Sequence, residues 1–436
     1  MPDKVRITGG KPLKGQVTLA GGKNTVSKIM VATLLSAEPS VIENVPDIED
    51  VEIVSQMIEA LGGTVTKEDK KLTIQTPEIT LPRDEDLLIY GKRSRIPPLF
   101  CGPMLARTKK ATIPMPGGCN IGNRPINFHI EALKALGAQI EEQPESYHLT
   151  VKESLKGAKI ELPYPSVGST EQVLLSSVLA DGVTELTNAA VEPEIIDLIA
   201  VLQKMGAIIA VDTDRVITIT GVKKLGGYTH QPIPDRLEAA SWACAAALTN
   251  GRIFVRGANQ LHMMTFLNSY RQIGGGFDIT DDGITFYREN HELHSISLET
   301  DVYPGFSTDY QQPFVVVLTQ AKGTSVIHET VYEERFGYVD SLNKMGAQIQ
   351  LYNNCLGGRE CRYAGTSYLH SASITGPTKL HGANITVPDL RAGFSYVIAA
   401  LAAVGESEID NFSLLSRGYE NLVEKLRSLG AEIQEI

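Results

Sequence analysis

Cysteine and tryptophan are scarce in this sequence, which has five Cys and one Trp among 436 residues. The cysteines are odd in number and their spacing forms no disulfide framework, so we expect a reduced, cytoplasmic compartment. Basic residues are fewer than acidic residues, 40 against 51, so the formal net charge is −11. This charge argues against nucleic acid or an anionic membrane as partner. No apolar run approaches the ~18 residues needed to span a bilayer, and the opening MPDKVRITGG lacks the apolar stretch of a signal peptide.

What the sequence does contain is an internal repeat. A short apolar-glycine phrase returns along the whole chain, at Leu61–Gly63, Leu136–Ala138, Met205–Ala207, Ile273–Gly275, Met345–Ala347 and Leu429–Ala431. Each copy ends a helical pattern, and its glycine suits the left-handed position that closes a helix. A repeat at this spacing indicates an architecture of similar units.

Each unit is predicted to contain a strand, an apolar first helix, a second strand, an amphipathic second helix and a two-stranded hairpin. The apolar first helices indicate burial among other elements. In the first copy we predict strands at Gln16–Leu19 and Val41–Val45, helices at Lys23–Ser36 and Val51–Leu61, and a hairpin at Thr64–Gln75. The later first helices are predicted at Pro97–Arg107, Ser169–Ala180, Arg236–Leu248, Thr308–Ala321 and Asp389–Ala403, with second helices including Phe128–Leu136 and Tyr419–Leu429.

The last copy keeps only one strand of its hairpin, whereas Lys4–Thr8 is a strand without a unit. We therefore predict that the N-terminal strand pairs with the C-terminal region. Six units exceed the usual size of one core, and we predict two domains of three units each, residues 22–230 and residues 1–21 plus 231–436. Two chain crossings would then form a hinge, with a ligand in the cleft between the domains. The predicted class is α/β, as a two-lobed inverse α/β barrel-like fold of six βαβαββ-type repeats.

The segment PMPGGCNIGNRPINFH, residues 114–129, is the most suggestive of chemistry. It places Cys119 in a glycine-rich turn, close to Arg124 and just before a predicted helix. A helix N-terminus and a nearby arginine both favour the thiolate form of cysteine. The alternative is a small buried thiol, which suits Cys101 and Cys244 better because both lie in apolar helical runs.

Several other charged residues fall at predicted helix starts. A helix start disfavours positive charge, so cations there indicate a bound anion, with surface salt bridges as the alternative. These cations are Lys23, Arg95, Arg124, Arg391 and Arg417. For Ser169, Asp309 and Asp389, a helix cap is an equally good interpretation.

Cys355 and Cys361 could be metal ligands, but neither a second cysteine pair nor a paired histidine accompanies them in the sequence. We therefore interpret them as two thiols of a surface loop and predict no metal. His129 and His328 likewise have no partners with the spacing of a triad or a zinc site.

Taken together, the motifs resemble the enolpyruvyl transferase family, and within it the enzymes that act on UDP-N-acetylglucosamine. The resemblance runs from about Val5 to Ile436. The matching motifs are GGKN at Gly21–Asn24, PGGCNIGNRP at Pro116–Pro125, SVGST at Ser166–Thr170, EPEIID at Glu192–Asp197, PDRLE at Pro234–Glu238, STD at Ser307–Asp309, ERF at Glu334–Phe336, DLRA at Asp389–Ala392 and RGYE at Arg417–Glu420.

The resemblance implies a cytoplasmic transferase of peptidoglycan synthesis, and thus of cell-wall biogenesis, cell shape and cell division. It would move the enolpyruvyl group of phosphoenolpyruvate to the sugar 3-hydroxyl of UDP-N-acetylglucosamine and release phosphate, without metal or organic cofactor. Cys119 and Asp309 would be catalytic, and Lys23, Asn24, Arg124 and Arg417 would bind phosphoenolpyruvate. The implied UDP-sugar contacts are Arg95, Arg124, Pro125, Ile126, Asn127, Phe128, Tyr164, Pro165, Ser166, Val167, Asp309 and Val331, with Arg335, Asp389 and Arg391 as supporting charges.

Two alternatives stay open at this point. One is the sister enzyme that uses shikimate 3-phosphate, although that enzyme does not use the cysteine of this loop. The other is a non-catalytic paralogue that binds the nucleotide sugar and regulates wall synthesis. The resemblance also implies that fosfomycin, an epoxide similar to phosphoenolpyruvate, alkylates Cys119.

Overall fold

The computed structural model describes residues 2–115, 126–288, 292–358 and 360–436. Within these ranges the helices are α1 Lys23–Ala32, α2 Glu49–Ala60, α3 Asp84–Arg93, α4 Cys101–Thr108, α5 Asn127–Ala135, α6 Val167–Ser177, α7 Pro193–Lys204, α8 Arg236–Leu248, α9 Met264–Gln272, α10 Thr308–Leu318, α11 Val339–Lys344, α12 Leu390–Ala402 and α13 Leu422–Ser428. None of them is long and apolar enough to cross a membrane.

The strands are short and follow the helices in a repeating order. They are β1 Lys4–Thr8, β2 Lys14–Thr18, β3 Ser40–Ile42, β4 Thr64–Glu68, β5 Lys71–Gln75, β6 Lys110–Pro114, β7 Gln139–Glu142, β8 Ser146–Thr150, β9 Lys159–Glu161, β10 Val183–Thr187, β11 Ile208–Asp212, β12 Val216–Thr220, β13 Thr229–His230, β14 Arg252–Arg256, β15 Gly276–Thr280, β16 Gly283–Tyr287, β17 Ser297–Glu299, β18 Gly323–His328, β19 Gln348–Tyr352, β20 Ser371–Gly376, β21 Asn384–Thr386, β22 Glu406–Asp410 and β23 Glu432–Glu435.

The chain divides into two compact units, each with a hydrophobic core of its own. The described part of one unit comprises residues 20–115 and 126–233, and its sheets have the strand orders β13-β3-β5-β4, β6-β8-β7 and β11-β12-β10-β9. The described part of the other comprises residues 2–19, 234–288, 292–358 and 360–436, with sheets β21-β22-β1-β23, β15-β16-β14-β2 and β17-β18-β20-β19. The hinge and the cleft stay predictions.

The glycines of the repeated phrase close their helices as predicted. Gly62, Gly137, Gly206, Gly274, Gly346 and Gly430 all have φ between 86° and 105°. In each copy the next N–H donates to the carbonyl five residues back, for example Ala138 to Leu133 and Ala431 to Leu426. This pair of features is the Schellman motif, in which glycine avoids the Cβ strain of left-handed backbone.

The predicted pairing of the N-terminal strand is confirmed. Strand β1 lies between β22 and β23 and is antiparallel to both, with Val5 opposite Ile409 on one side and Glu435 on the other. The chain's first strand and its last strand therefore complete one sheet. This pairing also buries Val5 and Ile7 completely in the core.

Two elements differ from the predicted repeat. Strand β2 leads into α1 along the chain, but it pairs in parallel with β14 of the fourth copy. Strand β13 leads into α8, but it pairs in parallel with β3 of the first copy. The strands that lead into the first and fourth copies therefore pair outside their own copies, because strand pairing is decided by contacts that a local pattern does not encode. In the second copy, the described leading element is the helix α3 rather than a strand.

Candidate functional site

In the unit that contains residues 234–436, a carboxylate lies between two guanidinium groups. Asp309 is in the first turn of α10, where the Ser307 hydroxyl caps the helix by accepting from the Asp309 N–H at 3.3 Å. One carboxylate oxygen of Asp309 accepts from Arg335, and the other is 3.6 Å from Nε of Arg391. The Asp309 side chain keeps 23% of its exposure, whereas Arg335 keeps 3% and Arg391 7%. We call these three residues the Asp309 cluster.

Both arginines of the cluster are held in place by neighbouring groups. Arg391 follows Asp389, whose carboxylate accepts from the N–H groups of Arg391 and Ala392 at 2.9 and 3.1 Å. Nη1 of Arg391 donates to the Tyr419 hydroxyl at 3.0 Å. Although burial lowers the pKa of Arg391, the charge of Asp309 is among the interactions that raise it overall. The guanidinium therefore stays charged inside the protein.

Arg335 reaches the cluster from the segment after β18. Burial acts to lower its pKa, but Asp309, Asp389 and Glu329 together raise it. A buried cation beside a half-buried carboxylate is stabilised by that partner. The guanidinium groups of the cluster can hold an anionic ligand, and positive charges beside a carboxylate favour its ionised form.

Glu329 organises the backbone beside the cluster, and the sequence analysis did not single it out. Its side chain is fully buried and accepts from the N–H groups of Val331 and Tyr332 at 2.8 and 3.1 Å. It also accepts from the Thr308 hydroxyl at 2.9 Å. Burial raises the pKa of Glu329, while Arg335 opposes this effect. Glu329 thus fixes Val331, a predicted UDP-sugar contact, relative to the start of α10.

Arg417 ends a 3-10 helix at Phe412–Arg417, and the following α-helix begins only at Leu422. The predicted second helix at Tyr419–Leu429 is therefore too long at its N-terminal end. The reason is local: Asn421 adopts left-handed backbone, with φ 49°, directly before α13. Arg417 consequently does not lie at a helix start, although Tyr419 beside it contacts Arg391.

In the unit that contains residues 126–233, Lys23 is the first residue of α1 and forms an ion pair with Asp50. Asp50 lies in the first turn of α2, and its side chain is only 2% exposed. The positive charge of Lys23 at the start of α1 is thus balanced by a carboxylate of the protein itself. No motif of the sequence indicated this role of Asp50. Asn24 follows Lys23 in the same first turn and is half-buried.

Two of the predicted UDP-sugar segments come together in this unit. Helix α5 begins at Asn127, directly after the buried Ile126, and Phe128 follows. Helix α6 begins at Val167 after Tyr164, Pro165 and Ser166. His129 links the two starts, because Nδ1 lies 3.3 Å from Oε1 of Gln172 and a Cβ on Gly168 would lie 2.9 Å from Nε2. Two helix N-termini side by side provide backbone donors for an anion.

The remaining predicted residues have simpler positions. Arg95 is half-buried in the turn between α3 and the 3-10 helix Pro97–Phe100. The cap interpretation is correct for Asp389, but the caps of α10 and α6 are Ser307 and Ser166 rather than Asp309 and Ser169. Cys119, Arg124 and Pro125 lie outside the described residues, so their predicted roles stay predictions.

A buried carboxylate within α6 is expected to make the stability of this unit depend on pH. Glu171 is 3% exposed and lies 3.9 Å from Nζ of Lys28. Burial is the main cause that raises its pKa from 4.5 to about 7, while Lys28 opposes the shift and Glu192 and Glu194 add to it. Glu171 therefore carries a proton over much of the weakly acidic range.

Replacing Glu171 by glutamine is expected to remove this pH dependence. Between about pH 4.5 and 7 the unfolded chain releases the Glu171 proton before the folded chain does, so wild type loses stability as the pH rises. We expect Glu171→Gln to gain up to about 3 kcal/mol in free energy of unfolding relative to wild type between pH 5 and pH 8. Denaturant unfolding at both pH values measures this, with the exposed Glu161→Gln as control. Equal pH dependence in wild type and Glu171→Gln would contradict the assignment.

Known proteins similar to this chain are enolpyruvyl transferases. The family model described as EPSP synthase (3-phosphoshikimate 1-carboxyvinyltransferase) matches residues 7–426. The UDP-N-acetylglucosamine 1-carboxyvinyltransferase of Protochlamydia amoebophila (strain UWE25) is 48% identical over 99% of this chain and 94% of its own length. The protein of the same name from Chlamydia pneumoniae is 47% identical over 98% of this chain and 94% of its own length.

Solved structures show the same fold. The enolpyruvyl transferase NikO from Streptomyces tendae has a TM-score of 0.87 at 23% identity and covers 100% of this chain and 99% of its own. EPSP synthase from Acinetobacter baumannii has a TM-score of 0.77 at 18% identity and covers 99% of both chains. The predicted α/β fold is therefore confirmed.

These repeated sheets and helices define the enolpyruvyl transferase class. Within that class, the chain belongs to the UDP-N-acetylglucosamine 1-carboxyvinyltransferase family. The family resemblance inferred from the sequence motifs is confirmed, as is the prediction that the chain is an enzyme of this family.

Proposed function

We propose that this chain transfers the enolpyruvyl group of phosphoenolpyruvate to the 3-hydroxyl of UDP-N-acetylglucosamine and releases phosphate. The observation that carries the proposal is the identity of 48% over nearly the whole chain with a relative of that name. The family model's description names the shikimate enzyme instead, but the EPSP synthase structures share only 18% of their residues with this chain. We place the reaction in the cytoplasm, as a step of peptidoglycan synthesis.

In this proposal Asp309 acts on the sugar hydroxyl. Its carboxylate accepts the proton of the 3-hydroxyl while the sugar oxygen forms a bond to C2 of phosphoenolpyruvate. Arg335 and Arg391 keep Asp309 ionised, because both guanidinium groups lie against its two oxygens. Val331, held by Glu329, would contact the UDP-sugar beside it.

Cys119 would supply the other proton. Its thiol protonates the methylene carbon C3 as the new C–O bond forms at C2, which gives a tetrahedral intermediate. Loss of a proton from C3 and cleavage of the C2–O bond to phosphate then produce the enolpyruvyl sugar and free phosphate. Before and during these steps, Lys23, Arg124 and Arg417 would hold the phosphate and carboxylate groups, since charged donors bind such anions strongly.

Measurement of phosphate release tests the proposal directly. We expect phosphate to form from phosphoenolpyruvate in the presence of UDP-N-acetylglucosamine and not in the presence of shikimate 3-phosphate. Mass spectrometry should show the enolpyruvyl sugar in equal amount. Turnover of shikimate 3-phosphate alone would refute the proposal in favour of the sister activity. Tight binding of the UDP-sugar without phosphate release would refute it in favour of a regulatory protein.

A further inference from the structure

The hairpin between β19 and β20 is extended by a long loop that the reaction does not explain. The other described hairpins close with short turns, at residues 69–70, 143–145, 213–215 and 281–282, whereas this one runs through residues 353–370. Long loops without secondary structure require other interactions to hold them in one conformation. The loop carries Cys355, Cys361 and His370.

Strand pairing brings a second histidine to the base of this loop. His328 is the last residue of β18 and lies opposite Ser371, the first residue of β20. His370 precedes Ser371, and the rings of His328 and His370 have centroids 5.5 Å apart. The expectation that no histidine pair lies near the two cysteines is therefore wrong. It failed because His328 is distant from them in sequence and becomes a neighbour only through the sheet.

Four possible metal ligands converge there, namely His328, Cys355, Cys361 and His370, which we call the Cys-His cluster. One ligand atom from each residue lies within 4.8 Å of every other. The two sulfur atoms are 3.7 Å apart, and Sγ of Cys355 is 3.4 Å from Nε2 of His370. In a tetrahedral site, zinc bonds of about 2.3 Å to sulfur and 2.0 Å to nitrogen place two sulfur atoms, or a sulfur and a nitrogen atom, roughly 3.5–3.8 Å apart. These two distances are thus close to those of a zinc site.

Oxygen atoms beside both histidines orient their rings in the way typical of metal-bound histidine. Nδ1 of His370 lies 2.9 Å from the carbonyl oxygen of Tyr368, so that a proton on Nδ1 leaves the lone pair of Nε2 directed at Cys355. Nδ1 of His328 lies 3.5 Å from Oε2 of Glu299. A carboxylate or a carbonyl on the far nitrogen is the usual second partner of a metal-bound histidine. The Tyr363 N–H also donates to Sγ of Cys361 at 3.4 Å.

His328 gives an independent indication of a missing ligand. Its side chain is fully buried, and within the described residues Nε2 has no hydrogen-bond partner, while Nδ1 has only the 3.5 Å contact with Glu299. A buried polar atom without a partner destabilises the folded state, because it has lost its hydrogen bonds to water. The loop nevertheless packs tightly on this ring, because a Cβ on Gly357 would lie 2.4 Å from Nδ1. A metal ion bound through Nε2 would give that nitrogen a partner and leave Nδ1 to Glu299.

We propose that His328, Cys355, Cys361 and His370 bind one Zn²⁺ ion as a structural site that fixes the extended β19–β20 loop. Two thiolates and two neutral imidazoles balance the charge of the ion, and this ligand set prefers Zn²⁺ among the common divalent metals. All positions of the tetrahedron are filled by protein, which is typical of structural rather than catalytic zinc. The proposal does not depend on the proposed reaction.

The site would also fasten the loop to the strand segment that follows β18. Beyond the ligands, the Tyr363 hydroxyl donates to the Val331 carbonyl at 2.8 Å, and Arg362 donates to the same oxygen. The Glu329 N–H donates to the His370 carbonyl at 2.8 Å. Zinc would therefore hold the loop against the backbone that Glu329 organises.

Metal analysis of the full-length protein tests the site. After purification under reducing conditions and dialysis without chelator, we expect about one zinc per chain by elemental mass spectrometry. Apo-protein reconstituted with Co²⁺ should show the strong visible absorption of a tetrahedral site with thiolate ligands. Protein without bound zinc, whose reduced apo form also fails to produce this Co²⁺ spectrum, would overturn the proposal.

Variants at one position separate ligand loss from general damage to the fold. Cys361→Ser is expected to weaken zinc binding at least about tenfold, whereas Cys361→His should retain it because imidazole is also a zinc ligand. Cys101→Ala, which removes a buried thiol outside the cluster, should retain full zinc content. Stoichiometric zinc in Cys361→Ser would refute the assignment, whether or not Cys101→Ala keeps its zinc.

Discussion

Replacing Asp309 by asparagine is expected to lower kcat by about a thousandfold, within the range of about 10²–10⁴ for loss of a general acid or base. The two side chains have nearly the same shape, so the amide oxygen of the asparagine can still accept from Arg335, while its NH2 group takes the place of the oxygen that lies near Arg391. It cannot take a proton from the sugar hydroxyl. The KM values for both substrates should change much less than kcat, because the loss concerns the transition state.

The control for this experiment is Asp301→Asn, an exposed aspartate in the segment before α10 whose carboxylate accepts from the Val302 N–H. It removes a charge from the same unit and should keep wild-type kcat. Since Asp309→Asn leaves a buried Arg335 without its anionic partner, thermal unfolding must show that the variant is folded. A folded Asp309→Asn enzyme with kcat within about tenfold of wild type would exclude Asp309 as the base.

Features with a local cause could be predicted from the sequence. The six helix ends followed from glycine's access to left-handed backbone, and all six glycines have that conformation. Helix α8, at Arg236–Leu248, has the predicted limits, because Asp235 caps its start with bonds to Leu237 and Glu238. Capping and glycine closure depend on a few adjacent residues, so a sequence pattern is sufficient to locate them.

Among the features that depend on distant pairing, the place of β1 followed from the incomplete last copy, but the others could not be predicted from a local pattern. The pairing of β2 with β14 and of β13 with β3 joins residues roughly two hundred positions apart. The partners of the site residues also come from elements that are distant in the sequence. Asp50 meets Lys23 from another helix, and Glu329 reaches Thr308 at the start of α10 from the segment that follows β18. Such contacts are consequences of the fold, and no local periodicity indicates them.

The Cys-His cluster illustrates the limit most clearly. Five residues separate Cys355 from Cys361, a longer spacing than the C-x₂₋₄-C of common zinc motifs. The second histidine lies on β18, and only the register of β18 with β20 shows that it is near His370. Finding the cluster from the sequence would have required both the strand order of this sheet and the register of β18 with β20.

Replacing Cys119 by alanine is expected to reduce kcat about a hundredfold or more, because the enzyme loses its proton donor to C3 of phosphoenolpyruvate. Cys119→Asp should keep much of the activity, since a carboxyl group can also donate a proton. Phosphate release under saturating substrates compares the three proteins. Wild-type turnover in Cys119→Ala would show that another group protonates C3.

Fosfomycin provides a second and more specific measurement at the same residue. In the wild-type protein with UDP-sugar present, the Cys119 thiolate should attack an epoxide carbon, forming a C–S bond and opening the C–O bond of the ring. Intact mass spectrometry should then show a single adduct, absent from both Cys119→Ala and Cys119→Asp. Cys355→Ala should still be modified, because we assign that thiol to zinc rather than to the reaction. An adduct that persists in Cys119→Ala would place the reactive thiol elsewhere, and the proposed proton donor would then have to be reassigned with it.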